Sequence, residues 1–266
     1  ILDKLNKYIS LCNDAYFKDN NPIIEDSFFD KLENYKKSIL GEVSLEIGSS
    51  LNKILSEDAH SLPMISLQKV FTKDDVIEFD KKVKRFLKID LETEVTYYAQ
   101  VKIDGLSLSL RYENGSLVKA LTRGDGITGE DVTKNALQIA NIPAKIPTNL
   151  EVVEIRGEVY MSKSSFNLLS LKQKENGEKI FVNARNAASG SLRLLDETIT
   201  KERNLDFFAW DFGFLSDKTF ASDLFSKNIE KIKSLGFTIP SDGKKCSNIN
   251  QIMDYFNDIS NKREDL

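Results

Sequence analysis

The chain has 266 residues, 41% hydrophobic and 29% charged, enough apolar material to bury a sizeable core and to divide into one large and one small domain. A formal net charge of −4 excludes a globally basic nucleic-acid binder, so any contact with DNA must rest on local basic surface. There is no apolar run long enough to span a membrane, no secretory leader, and no metal-type spacing in Cys12 and Cys246, which predicts a soluble cytoplasmic protein; His60, the sole histidine, reads as a structural residue near Pro63.

In chain order, Leu2, Leu5, Ile9 and Cys12 recur at helical spacing, and after Asn20-Asn21-Pro22 a second helix opens near Asp26 and runs through Leu32, with Ser27 and Asp30 as its cap. From the residues alone this is a helical hairpin with an apolar face. A further helix, capped by Thr72 and Asp75, turns Val76, Phe79 and Val83 inward and carries the cluster Lys81, Lys82, Lys84, Arg85 and Lys88, read as a solvated face.

The stretch Ala99-Gln100-Val101-Lys102-Ile103-Asp104-Gly105-Leu106 reads as a strand with Gln100, Lys102 and Asp104 on one face and Val101, Ile103 and Leu106 supplying core. A lysine amine attacks only as the free base, about a thousandth of it near neutral pH, so a nucleophilic Lys102 needs desolvation, a neighbouring cation or a metal ion. The bland alternative is a surface lysine paired with Asp104. Next, Arg111 to Val118 reads as strand, Asn114-Gly115 turn, strand. The hairpin delivers residues 122–131, whose three glycines allow close approach to a ligand and whose Thr128 and Asp131 resemble a helix cap.

A second alternating strand, residues 153–160, puts Glu154, Arg156 and Glu158 on one face, where carboxylates can take a ribose hydroxyl or a metal ion. Residues 183–193 are rich in small side chains, with helical spacing bringing Asn186 and Arg193 to one side; Arg185 and Arg193 beside small neighbours suit phosphate or local salt bridges. The last third reads as a strand at 207–212, a helix at 222–235 stopped by Gly236, a short strand into Pro240, and an amphipathic helix carrying Ile249, Ile252, Phe256 and Ile259.

Taken together, the blocks at residues 60–67, Lys102 to Gly105, 122–131, Arg156 to Glu158, 183–193 and Phe207 to Trp210 resemble the bacterial NAD-dependent DNA ligases along nearly the whole chain. The resemblance implies an α+β fold: a helical hairpin module at residues 1–55 that grips the nicotinamide mononucleotide half of NAD, then an ATP-grasp-like nucleotidyltransferase (adenylation) domain of antiparallel sheets and helices at 56–266. It implies that Lys102 attacks the α-phosphorus of NAD, that AMP passes to the 5′-phosphate of nicked double-stranded DNA, and that the 3′-hydroxyl displaces it, with magnesium assisting. Asp104 and Arg123 would attend the phosphate and ribose, Glu158 the ribose, Arg185 and Arg193 the phosphate or the nick. Ser66, Leu67 and Gln100 would border the adenine, Trp210 would stack on it, and Tyr16, Phe17, Asp26, Phe29 and Asp30 match the nicotinamide-binding positions.

Gln100 stands where the family usually has glutamate, Lys69 where asparagine is common, Ala184 where proline is common, and Trp210, Phe17 and Phe29 where polar aromatic residues are usual. The resemblance further implies a monomer whose ends are both cut, with the family's last lysine strands and its zinc-finger, DNA-clasping and BRCT domains absent. Zinc belongs only to that absent finger. Such a fragment is expected to be defective alone. The other reading is a non-catalytic NAD- or AMP-binding fragment, and a weaker third is an RNA ligase or capping-type enzyme.

Overall fold

The computed structural model describes residues 2–17, 23–24, 26–40 and 55–262. Two helices, α1 (Leu2–Phe17) and α2 (Asp26–Leu40), pack against each other, with Ile9 and Cys12 buried on α1 as their helical spacing predicts. Helix α2 runs a further two turns beyond the predicted Leu32. The proposed Ser27–Asp30 cap lies outside the described residues.

A short strand β1 (Glu57–Ala59) is followed by an extended strap and by α3 (Lys73–Leu87). Thr72 and Asp75 form the predicted capping box of α3, each satisfying a backbone N–H of the other's end of the turn. The inner face of α3 differs from expectation. Phe79 is exposed at the edge of Tyr97, and the buried residues are Asp80 and Lys84, an ion pair at 2.8 Å. Lys84 also donates to the Leu91 carbonyl and Tyr97 donates to Asp80, so both charges are hydrogen-bonded as burial demands. Lys84 is therefore a structural cation and no part of a solvated face.

Strand β2 (Tyr97–Ala99) ends before Gln100; Lys102 lies on an irregular segment, not on the predicted strand, because β2 pairs with the late strand β8 (Lys244–Cys246) and its ladder stops at Ala99. β3 (Leu106–Glu113) and β4 (Ser116–Thr122) make the predicted hairpin, with positive φ at Asn114 (47°) and Gly115 (78°), the primed turn that an Asn-Gly pair supports. The predicted cap at Thr128 and Asp131 is instead strand β5 (Thr128–Glu130), paired antiparallel with β1, while Asp125 accepts from the N–H groups of Ile127 and Thr128. After the short α4 (Thr133–Ala136) come β6 (Val152–Met161), α5 (Lys163–Glu175), α6 (Ala184–Leu192), α7 (Glu197–Glu202) and β7 (Leu205–Leu215). Last are α8 (Phe225–Ser234), β8 and α9 (Ile249–Asn261); the predicted short strand into Pro240 is not formed, although Ala209 N–H of β7 does bond the Thr238 carbonyl. On α9 the buried aromatic is Tyr255, and Phe256 is exposed.

The main sheet is antiparallel in the order β4-β3-β6-β7. One face is apolar: Leu108, Leu110 and Tyr112 of β3, Val153, Ile155 and Val159 of β6, and Phe207 and Ala209 of β7 are buried beneath Ala187, Ala188 and Leu192 of α6 and Ile232 of α8. Each large side chain so buried stabilises the fold by about 1.5–3 kcal/mol. The result is a mixed α/β architecture with small antiparallel sheets. Period-two alternation leaves the other face polar, and that face carries the chemistry.

Candidate active site

Register across three strands decides what the polar face brings together. Ser107 pairs with Glu158 and Glu158 with Phe208; Ser109 pairs with Arg156 and Arg156 with Asp211; Arg111 pairs with Glu154. The predicted sharing of one face by Glu154, Arg156 and Glu158 is therefore what β6 provides. A bulge between Arg156 and Gly157 makes β7 carry one extra residue there, and that residue is Trp210. Trp210 is half-buried at this bulge, between Ala209, paired with Gly157, and Asp211, paired with Arg156.

At one end of this face the irregular segment 100–105 crosses the sheet. Lys102 and Asp104 are exposed and Val101 and Ile103 half-buried, so the alternation read from sequence holds although the strand does not. Gly105 explains how the segment lies so close: a Cβ there would meet the Val159 carbonyl oxygen at 2.1 Å and Glu158 Cγ at 2.9 Å. Glu158 accepts a hydrogen bond from Ser107 Oγ at 2.8 Å. Burial pushes the Glu158 carboxyl above its usual range, opposed by that bond and by the positive charges of Lys102, Arg185 and Arg123. Those three cations thus converge on one nearly buried carboxylate. Burial also lowers Arg123 from its ordinary value, with Arg185 adding repulsion. Arg185 reaches Asp104 at 2.8 Å, the aspartate side chain being 75% exposed.

Among the buried donors without a protein partner are Gln100 Nε2, two residues from Lys102, Arg156 Nε on the polar face of β6, and Asn186 Nδ2, next to Arg185 in sequence. A buried N–H group left without a protein acceptor can take one from water or from a bound ligand. Together with Lys102, Arg123 and Arg185 they make a donor set suited to a base carrying phosphate.

Other predicted residues stand elsewhere. Arg193 is committed to Glu130 at 2.7 Å and to Ser189 Oγ at 2.9 Å; the Glu130 side chain is 1% exposed, so this is a buried ion pair tying the end of α6 to β5. Ser66 and Leu67 are exposed on the strap, Leu67 at 76%, and Lys69, beside them, lies 3.6 Å from Glu33 of α2. Phe29 is half-buried on α2, and the side chains of Tyr16, Phe17, Asp26 and Asp30 lie outside the described residues. A polar pocket of about 290 Å³ opens farther along the same face, lined by Asp58, Ser61, Arg111, Lys119 and Glu154 among others, with its charges already paired as Lys119–Asp58 and Arg111–Glu154. Among the described residues no group of three or more His, Cys, Asp or Glu is placed to hold a metal ion, and no helix is long and apolar enough to cross a membrane.

Sequence reasoning missed Ser107, whose side chain holds Glu158 and whose carbonyl accepts from Arg123 N–H at 3.2 Å. The signal was present in the alternation Ser107, Ser109, Arg111, which marks the polar face of β3. It also missed Arg156 as a clamp, with guanidinium bonds to the Leu62 and Pro63 carbonyls at 2.6 and 3.2 Å.

The polar face of the sheet thus carries an exposed lysine, a buried glutamate and two arginines whose charges act on one another. The family model of the NAD-dependent DNA ligase adenylation domain matches residues 52–266, and the chain belongs to that family. Similar relatives over the whole chain are a DNA ligase of Ruegeria pomeroyi (40% identical over 274 residues), one of Bartonella tribocorum (39% over 275) and one of Clostridium kluyveri (38% over 277). The chain spans 37%, 38% and 40% of the length of those three proteins.

Proposed function

We propose that Lys102 becomes adenylated by NAD, and that the protein at its full natural length passes the AMP to the 5′-phosphate of nicked DNA and seals the nick in replication and repair. The observation that carries the reading is the convergence of Lys102, Arg123 and Arg185 on Glu158 beside an unpartnered Gln100 amide. The deprotonated Lys102 amine forms a bond to the α-phosphorus; the bond from that phosphorus to the bridging oxygen breaks, nicotinamide mononucleotide leaves, and the amine's surplus proton goes to solvent. Charge spreads over the phosphoryl oxygens in such a transfer, and positioned cations supply most of the catalysis. Arg123 and Arg185 are those cations here, with Asp104 orienting Arg185 through the 2.8 Å ion pair. Glu158, held by Ser107 and biased toward its protonated form by burial, can donate to a ribose hydroxyl as well as accept from one. Gln100 would present its free amide N–H to a ring nitrogen of the adenine, a contact a carboxylate cannot make.

Magnesium, which usually leans on substrate phosphates with one or two carboxylates, would neutralise phosphate charge, and Asp104 is the exposed carboxylate that fits that mode. Residues 1–55 are assigned to a helical module for the nicotinamide mononucleotide half, through Tyr16, Asp26, Phe29 and Asp30, and residues 56–266 to an ATP-grasp-like adenylation domain. Trp210 is assigned to stacking on the adenine, Ser66 and Leu67 to its border, and a cytoplasmic monomer is the expected form.

Intact-mass measurement after incubation with NAD and magnesium should show an AMP adduct that vanishes in Lys102→Ala. An adduct that persists in the variant refutes the nucleophile. NAD binding without any adduct in the unaltered protein would favour the non-catalytic binding module.

A further inference from the structure

We propose that His60 is a positioning residue for the nucleotide site, its imidazole fixing the backbone of Arg123 and through it the pair of Ser107 and Glu158. His60 Nε2 lies 3.1 Å from the Arg123 carbonyl oxygen. A carbonyl can only accept, so Nε2 carries the hydrogen and the ring is the Nε2–H tautomer. The same carbonyl takes the Gly126 N–H at 2.9 Å, and the Arg123 N–H reaches the Ser107 carbonyl at 3.2 Å. Ser107 in turn holds Glu158. The chain of contacts therefore runs from His60 to Arg123, to Ser107, to Glu158, each link a hydrogen bond or a shared residue.

The segment that carries the imidazole is itself held from both sides. The backbone N–H of His60 donates to the Ile127 carbonyl and Met64 N–H to the Gly126 carbonyl, both at 2.8 Å, so residues 60–64 are zipped to the glycine loop. On the sheet side, Arg156 grips the Leu62 and Pro63 carbonyls and Ser61 Oγ is bonded to Glu154. Gly129 makes room: a Cβ there would lie 3.0 Å from His60 Nε2 and 1.9 Å from the Thr122 carbonyl oxygen. A half-buried side chain with a fixed tautomer, on a segment clamped between the sheet and the loop that carries Arg123, is built to transmit position.

This inference rests on Arg123 serving the adenylation of Lys102. Its test uses the protein at its full natural length, following single-turnover formation of the AMP adduct at a temperature well below the unfolding midpoint of every variant. His60→Gln keeps an N–H donor close to the Nε2 position; His60→Met has similar reach and no donor. The Met variant should slow adduct formation about tenfold, the upper end of what one neutral hydrogen bond supplies, with Gln restoring most of the rate. In an Arg123→Ala background the His60→Met change should add little, since a residue acting through Arg123 has nothing left to act through. Unchanged rates in His60→Met, equal slowing by Met and Gln, or the same slowing with and without Arg123 would each overturn the proposal. A wild-type protein forming no adduct at Lys102 would instead overturn the proposed function, and this inference with it.

Discussion

Gly105→Ala tests whether the lysine segment truly rests on the β6 backbone. The added Cβ would sit 2.1 Å from the Val159 carbonyl oxygen, about 1.3 Å short of ordinary van der Waals contact. Val159 cannot withdraw, because β6 is an inner strand bonded to β3 on one side and β7 on the other. Glu158 Cγ, 2.9 Å from the same point, offers little more give, since its carboxylate is tied to Ser107. The segment 102–105 must therefore lift. Overpacking of this kind costs about 1–3 kcal/mol of stability, and a displacement near 1 Å in a reacting group costs on the order of 100-fold in rate. Urea unfolding should report the first and single-turnover adduct formation on Lys102 the second. Gly177→Ala is the matched control: its φ of +69° makes an alanine strained, at about 1–2 kcal/mol, while nothing lies within 4 Å of its Cβ. It should lose stability and keep adenylation. Wild-type rate and stability in Gly105→Ala would show that the close approach is not there; equal slowing in both variants would show that stability alone sets the rate.

The two arginines of the 183–193 block should separate in the same assays. Arg193→Met leaves Glu130 buried without its cation and should cost about 3–5 kcal/mol in urea unfolding, whereas Arg185→Met breaks a pair with an exposed partner, should cost under about 1 kcal/mol, and should still slow adenylation; a neutral Arg193→Met would refute the structural assignment. Burial holds the His60 imidazole below its ordinary 6.5, reinforced by the positive charge of Arg156 and opposed by the bonds to the Arg123 and Thr122 carbonyls and by the charges of Glu154 and Asp58. The unfolded chain then binds a proton before the folded one does, so stability should fall as pH drops through about 6.5, and melting curves of His60→Gln should show a flatter decline over that window; an undiminished slope would assign the decline to other groups. Deleting residues 1–55 should abolish adenylation from NAD while sparing reaction of a preformed adenylate with nicked DNA, and loss of both would mean the helices do more than hold the leaving half. Phe29→Tyr should tighten NAD binding by about 1 kcal/mol if a hydroxyl is what the pocket lacks, which calorimetric titration would read directly.

What the sequence showed of this arrangement depended on the range of each signal. The Asn114-Gly115 turn is local chemistry and fixed the β3–β4 hairpin, and the alternation of Glu154, Arg156 and Glu158 gave the polar face of β6. The capping box at Thr72 and Asp75 was equally local. The strand drawn through Lys102 failed because apolar alternation does not say where a ladder ends; β2 stops when its partner β8, nearly 150 residues later, runs out. Strand β1 escaped notice because Glu57-Asp58-Ala59 has no strand character of its own and is extended only by pairing with β5. Lys84 was read as a surface cation, and Arg193 was left between phosphate and a local salt bridge, because no sequence pattern distinguishes a cation in solvent from one bonded to a buried carboxylate four or sixty-three residues away.

The same limit explains why the site is a matter of register more than of motif. The blocks that hold Lys102, Asp104, Arg123 and Glu158 are weak signals singly and informative only together; what fixes Glu158 against β3 is its pairing with Ser107, and what brings Arg123 to the same place is its backbone bond to that serine. Ser107 is two residues from Gly105, so the glycine that lets the lysine segment touch β6 and the serine that holds the glutamate are set by one short run of chain. A slip of a single residue in the β3–β6 pairing would turn Ser107 toward the core and part all four groups at once. The apolar face of β3, with Leu108, Leu110 and Tyr112 fully buried, forbids that slip. The core on one side of the sheet is thus what keeps the geometry of these four groups on the other.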